Sequence, residues 1–202
     1  MVTPLDGYID EFFAAVADKS LEIYNEFSLQ HELGIHLRSR LSSTEKVQFE
    51  RPVDYFGLSR AGMPKSEIDI SIFTPDQSVK TAVELKFPRN GQYPEQMFAA
   101  CVDVAFLERL VLGGFCAGWF VMTVDDPRFY SGACDQAPYS YFRGGRTLTG
   151  TVQKPTGKEN RSISLAGAYR IEWRSAGPVH YARVAVSPAS VSPGSLVAAT
   201  PL

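Results

Sequence analysis

The apolar residues first repeat at intervals of three and four, then at two. Between Gly7 and Tyr24, Ile9, Phe12, Phe13, Val16, Leu21 and Tyr24 keep helical spacing, which predicts a helix over 7–24. A second helical run, FSLQHELGIHLRSRL, steps through Leu29, Leu33 and Leu37. Ser28 is placed to cap it, with Gln30, His31 and Glu32 in the first turn. From Lys46 the period falls to two. KVQFERPV reads as a strand ended by Pro52, and DYFGLSRAGMPK as a loop. SEIDISIF alternates, with Ile68, Ile70 and Ile72 on one face and Glu67, Asp69 and Ser71 on the other. TPDQSVK supplies turn residues, and TAVELKF is the next strand, so the two predict an antiparallel hairpin.

Pro94 opens a third helix that is apolar over most of its surface and stops at Gly113-Gly114. GWFVMTV follows as an unbroken apolar strand, the pattern of a strand covered on both faces. Residues 125–162 read mostly as loop, AYRIEWRS and VHYARVAV as two late strands, and 187–202 as a Pro/Ser-rich disordered tail. The expected architecture is one α/β domain over residues 1–186, with an antiparallel hairpin and a helix-connected crossover.

Composition changes this picture little. A chain of 202 residues with 45% hydrophobic and 21% charged residues suits one globular core. No apolar run approaches the roughly 18 residues that span a bilayer. MVTPLDGYIDEF lacks the order of a secretory signal, and three cysteines without CxxC spacing indicate neither a disulfide framework nor a zinc site. A cytoplasmic location is expected. The net charge of −2 argues against a general nucleic-acid coat, yet residues 1–100 hold 15 acids against 10 bases and the remainder 7 against 10. Arg143, Arg146, Lys154, Lys158, Arg161, Arg170 and Arg174 cluster there against only Glu159 and Glu172, forming either a phosphate-facing surface or a solvated loop.

The candidate chemistry lies on the hairpin. Its polar faces carry Glu67, Asp69 and Ser71 on one strand, and Thr81, Glu84 and Lys86 on the other. Pairing around the turn brings Asp69 and Glu84 to one surface, where two carboxylates repel and call for a cation. Mg²⁺ suits one or two carboxylates completed by water and phosphate, and a neighbouring lysine can hold phosphate or activate water. Without that context, Glu84 and Lys86 read as an ion pair on a solvated sheet face.

Asp69, a gap of 14 residues, then Glu84-Leu85-Lys86 resembles the bipartite pattern of the PD-(D/E)xK nuclease superfamily. The hairpin, the helix and the apolar strand that follow fit the same resemblance, which covers roughly residues 28–125. It implies an α/β fold of the restriction-endonuclease-like kind: a mixed sheet flanked by helices, here with additional C-terminal strands. It implies Asp69, Glu84 and the Leu85 carbonyl as ligands of Mg²⁺, with Mn²⁺ as substitute. Lys86 would orient or activate water, and Glu32 on the preceding helix would complete the acidic cluster. The substrate would be DNA, RNA less so, met by Arg143, Arg146, Lys154, Lys158 and Arg161. Cutting both strands would call for a homodimer. The alternative is a nuclease-fold protein without catalysis that binds nucleic acid or a protein partner. Two departures stand out: Ile68 precedes Asp69 where proline is common, and Ala100 stands four residues after Gln96, where an exonuclease branch carries tyrosine.

Other residues are weaker candidates. His31 and His36 are five apart, off the four-residue helical spacing of paired ligands, and His180 stands alone. Asp103 faces either the site or a buried polar group. Asp125-Asp126 reads as a turn, and Tyr130, Tyr139, Tyr141 and Phe142 as base-stacking or loop-packing aromatics. Walker, GxSxG and Rossmann patterns are absent from the sequence.

Overall fold

In the computed structural model, which describes residues 5–157 and 161–191, the first helix is Leu5–Ala17 (α1). It buries Leu5, Ile9, Phe12, Phe13 and Val16, as the spacing requires. It ends earlier than expected because Lys19 takes φ 65°, while the Lys19 and Ser20 amides donate back to Val16 and Ala15 carbonyls at 3.2 and 3.1 Å. This nested pair closes the helix end. The second helix, Glu26–Arg40 (α2), begins earlier than its sequence suggested. Asn25 is the cap: its side chain accepts the Ser28 amide at 2.8 Å, and Ser28 Oγ accepts the Asn25 amide at 3.0 Å. Ser28 is therefore a first-turn residue, and so is Glu26.

The strands Lys46–Pro52 (β1), Glu67–Phe73 (β2) and Lys80–Lys86 (β3) form an antiparallel meander with the expected hairpin. Helix Tyr93–Leu112 (α3) crosses over to Ala117–Val124 (β4), which pairs in parallel with β3 and is buried at every position. A short helix, Tyr139–Phe142 (α4), precedes Leu148–Gln153 (β5), Ser162–Tyr169 (β6), Arg174–Ala176 (β7) and Val179–Val186 (β8). The main sheet has six strands in the order β1-β2-β3-β4-β8-β7, and β5-β6 form a separate two-stranded sheet. The protein is thus mixed α/β.

Two cores hold the layers. Helices α1 and α2 pack Phe12, Phe13, Leu29, Leu33 and Leu37 against Ile70, Ile72, Val83 and Leu85. On the other side α3, α4 and the β5-β6 hairpin enclose Ala82, Phe120, Met122, Phe106 and Leu165. Thr81 aligns with Ile72 in register and so shares Val83's face rather than Glu84's.

Residues 125–162, expected as loop, contain a 3₁₀ turn, α4, β5 and the start of β6. AYRIEWRS is two segments: Tyr169 ends the small sheet and Arg174 begins pairing with β8. Alternation marks extended chain but not which sheet it joins. Val191, in the segment expected to be tail, is buried at 3% exposure, while 192–202 lie outside the described residues. Among the described residues no helix is long and apolar enough to cross a membrane.

Gly34 lets α2 approach β1 closely, since a Cβ there would run into the Phe49 ring. Gly34→Ala is expected to destabilise the fold by about 1–3 kcal/mol despite alanine's better helix propensity. Urea unfolding would show it as a lower midpoint, and an unchanged or higher midpoint would mean that the ring moves freely aside.

Candidate functional site

The β2-β3 ladder runs from Phe73 opposite Lys80 to Ile70 opposite Val83. The next facing pair is Asp69 and Glu84, and there side chains replace backbone partners. The Asp69 amide donates to Glu84 Oε1 at 3.2 Å, and the Leu85 amide donates to Asp69 Oδ2 at 2.7 Å. On the other side Glu50 takes φ 50° and drops out of the β1-β2 register. The Asp69 carbonyl accepts instead from Gln30 Nε2 at 2.8 Å, which also reaches the Glu50 carboxylate. The strands therefore splay at Asp69 while its backbone stays satisfied.

A lysine from the loop before β2 completes the cluster. The Lys65 ammonium lies 3.3 Å from Asp69 Oδ1, 3.3 Å from Asp103 Oδ1, and in closer contact with Glu84 Oε2. The Lys86 ammonium lies 3.5 Å from Asp103 Oδ2 and 3.8 Å from Glu26 Oε2. Glu26 in turn accepts the Phe87 amide at 2.8 Å. Glu84 is fully buried, so its face of the hairpin is no solvated surface.

The structure thus brings together Asp69, Glu84, Leu85 and Lys86, and places Glu32 elsewhere. Glu32 contacts neighbouring His31 at 3.3 Å, whereas Glu26 is the α2 acid at the site. The misplaced helix start explains this, and the Asn25-x-x-Ser28 capping box was the signal that could have set it. Asp103 belongs to the cluster. Lys65 was missed, because a loop lysine carries no periodic signal.

Of the basic residues, Arg143 donates to the Arg128 and Ala133 carbonyls, Arg146 stacks on Tyr141, and Arg174 pairs with Asp10 at 2.8 Å. Lys158 lies outside the described residues. Lys154 and Arg161 line a groove of about 310 Å³ with Lys65, Asp103, Glu95 and Phe98. Tyr141 and Phe142 are core residues, and Tyr130 stacks on His180, so these aromatics pack the loop. Among the described residues the most exposed aromatics are instead Phe27 and Tyr24, on either side of Glu26, with Tyr55 exposed to a lesser degree. Phe27 lines a small cleft of about 60 Å³ with Glu26, Gln30, Glu50, Asp69 and Leu85.

Burial pushes the Glu84 carboxyl well above its ordinary range, Asp69's charge adds to this, and Lys65 opposes it. Burial likewise raises Asp103 against the pull of Lys65 and Lys86. For Lys65, burial favours the neutral amine, but the surrounding carboxylates, Glu84 first, outweigh it and hold the ammonium. A carboxyl raised in the folded state binds its proton more tightly there than in the unfolded chain. Its stabilising effect is full below the unfolded value and is lost as pH rises through the folded one. Above about pH 5, where ordinary carboxyls are ionised, Glu84 should make the melting temperature in EDTA fall with pH. Glu84→Gln should lessen that fall. Part of the fall remains in the variant because Asp103 is raised as well, while His36, lowered by burial, contributes the opposite slope in both proteins. Identical slopes in the two proteins would contradict the assignment.

Asp69 Oδ1 and Glu84 Oε2 converge on one cation, the Lys65 ammonium. Among the described residues no group of three or more His, Cys, Asp or Glu side chains is arranged to hold a metal ion as the cluster stands. Mg²⁺ asks for only one or two carboxylates besides water, and these hard oxygen donors fit that requirement. Formally four carboxylates (Glu26, Asp69, Glu84, Asp103) meet two ammoniums (Lys65, Lys86), leaving negative charge in excess. No family model, curated protein or solved structure matches the chain.

Proposed function

We propose that this chain is a metal-dependent nuclease of the restriction-endonuclease-like fold that hydrolyses phosphodiester bonds in DNA, with RNA the less favoured candidate substrate. The observation that carries this reading is the facing pair Asp69 and Glu84 at the point where β2 and β3 splay, with Lys86 two residues along. The parallel β3-β4 pair joined through α3 supports the same fold.

Asp69 and Glu84 would hold Mg²⁺ or Mn²⁺, with the Leu85 carbonyl as a further donor. The ion would supply Lewis-acid stabilisation of the phosphate and a water of lowered pKa. Asp69 is fixed for this role by its bonds to Leu85, Glu84 and Gln30. Lys86, held charged by Asp103 and Glu26 against the effect of burial, would orient the attacking water or balance charge building on the phosphate. Lys154 and Arg161 would contact the DNA backbone, and Tyr24 and Phe27 offer exposed faces on which bases stack.

The test is incubation of the purified protein with supercoiled plasmid, linear duplex and RNA in Mg²⁺, Mn²⁺ or EDTA. Nicked or linear product with metal and none with EDTA is expected, and intact substrates in every metal condition would overturn the proposal. One observation favours a second reading, a nuclease-fold protein that binds without cutting: the Lys65 ammonium already occupies the place between Asp69 and Glu84. Calorimetry separates the two, since that reading requires DNA binding without divalent-ion binding.

A further inference from the structure

We propose that Lys65 is a positioning residue that occupies the cation position between Asp69 and Glu84 and yields it when a phosphodiester enters the adjoining groove. This rests on the nuclease reading.

The three carboxylates around Lys65 stand on regular structure, Asp69 in β2, Glu84 in β3 and Asp103 in α3. Lys65 comes from the segment between the 3₁₀ turn at Val53–Phe56 and β2, where Gly57 and Gly62 both have positive φ and most residues are exposed. Its side chain retains 27% exposure, against 0% for Glu84 and 4% for Asp103. An ammonium and a divalent ion cannot share the same two carboxylate oxygens, because like charges at that separation repel strongly. Metal entry at Asp69 and Glu84 therefore requires Lys65 to leave.

The groove beside the cluster gives Lys65 somewhere to go. Lys65, Lys154 and Arg161 line it, against Asp103 and Glu95, and Glu95 is bonded to the Thr156 hydroxyl. A phosphate bound by Lys154 and Arg161 would draw the Lys65 ammonium away from the carboxylates, leaving Lys86 on Asp103. Metal loading and DNA binding then favour each other, and the coupling must be reciprocal.

The experiment is Mn²⁺ titration by calorimetry, with and without a phosphorothioate DNA duplex that resists cleavage. In the wild type, the duplex should tighten Mn²⁺ binding about tenfold, within the usual size of such couplings. Lys65→Met should bind Mn²⁺ without DNA about as tightly as the wild type does with it, and Lys65→Arg should retain the wild-type coupling. Should Lys65→Met not fold, Lys65→Met combined with Asp103→Asn removes an acid that has lost one of its two lysine partners and carries the same expectation. If the wild type binds Mn²⁺ and the Met variants bind it no tighter, the Lys65 proposal is overturned and the nuclease reading stands. If no protein binds Mn²⁺ with or without DNA, the metal site itself is overturned.

Discussion

Glu84→Ala is expected to lower Mg²⁺-dependent cleavage of supercoiled plasmid by about a thousandfold, and Lys86→Ala by about a hundredfold. The first figure follows from the several kcal/mol that a metal site contributes to transition-state charge, about 4 kcal/mol being three decades of rate. The second is the size of effect that a positioned proton-handling side chain gives. Glu84 also accepts the Asp69 amide, so part of any loss could come from the strand geometry. Circular dichroism and thermal melting of each variant separate the two causes: a folded variant that no longer cuts places the loss in the chemistry. Cleavage by both alanine variants within twofold of the wild type would remove this cluster from catalysis.

Glu108→Ala is expected to give the largest loss of stability, about 2–4 kcal/mol. Glu108 is 1% exposed and accepts the Ala166 amide at 2.9 Å, the Gly167 amide at 2.7 Å and the Tyr169 hydroxyl at 2.8 Å. These three bonds fasten β6 to α3. Truncation leaves two backbone donors and a phenol unpaired in a buried place, and each such group costs about 1–3 kcal/mol, offset in part by water entering the space. For a domain of this size, the melting temperature should fall by roughly 5–15 °C. Tyr169→Phe, which removes one donor and leaves the amides paired, should cost far less. Equal melting temperatures for wild type and Glu108→Ala would show that β6 is held by its apolar contacts alone.

Residue patterns revealed the pairing at the site better than its surroundings. Ile70 and Ile72 and the TPDQSVK turn fix the hairpin register, which makes Asp69 and Glu84 neighbours, whereas Ile68, expected on the same face, packs in the opposite core. Without that pairing Glu84 and Lys86 read as an ion pair on a solvated face, because alternation does not show what packs above a strand. Here α3 covers it and leaves Glu84 with no exposure. Asp103 and Glu108 are both acids in an apolar helix, yet one joins the ionic cluster and the other fastens a hairpin. Only the partner elements distinguish them. Lys65 reaches Glu84 across 19 residues from an irregular loop, a contact that no local period encodes. The β5-β6 hairpin was obscured by its composition, since LTGTVQ and SISLAGAY bury few large side chains.

Whether Asp69 and Glu84 share a divalent ion is read from crystals soaked in Mn²⁺, with diffraction collected at the manganese absorption edge. An anomalous peak is expected about 2.0–2.3 Å from Asp69 Oδ1 and Glu84 Oε2, the range of hard-cation oxygen contacts, with the Lys65 ammonium displaced. Lys65 still bonded to both carboxylates at saturating Mn²⁺, with no peak between them, would contradict a shared ion.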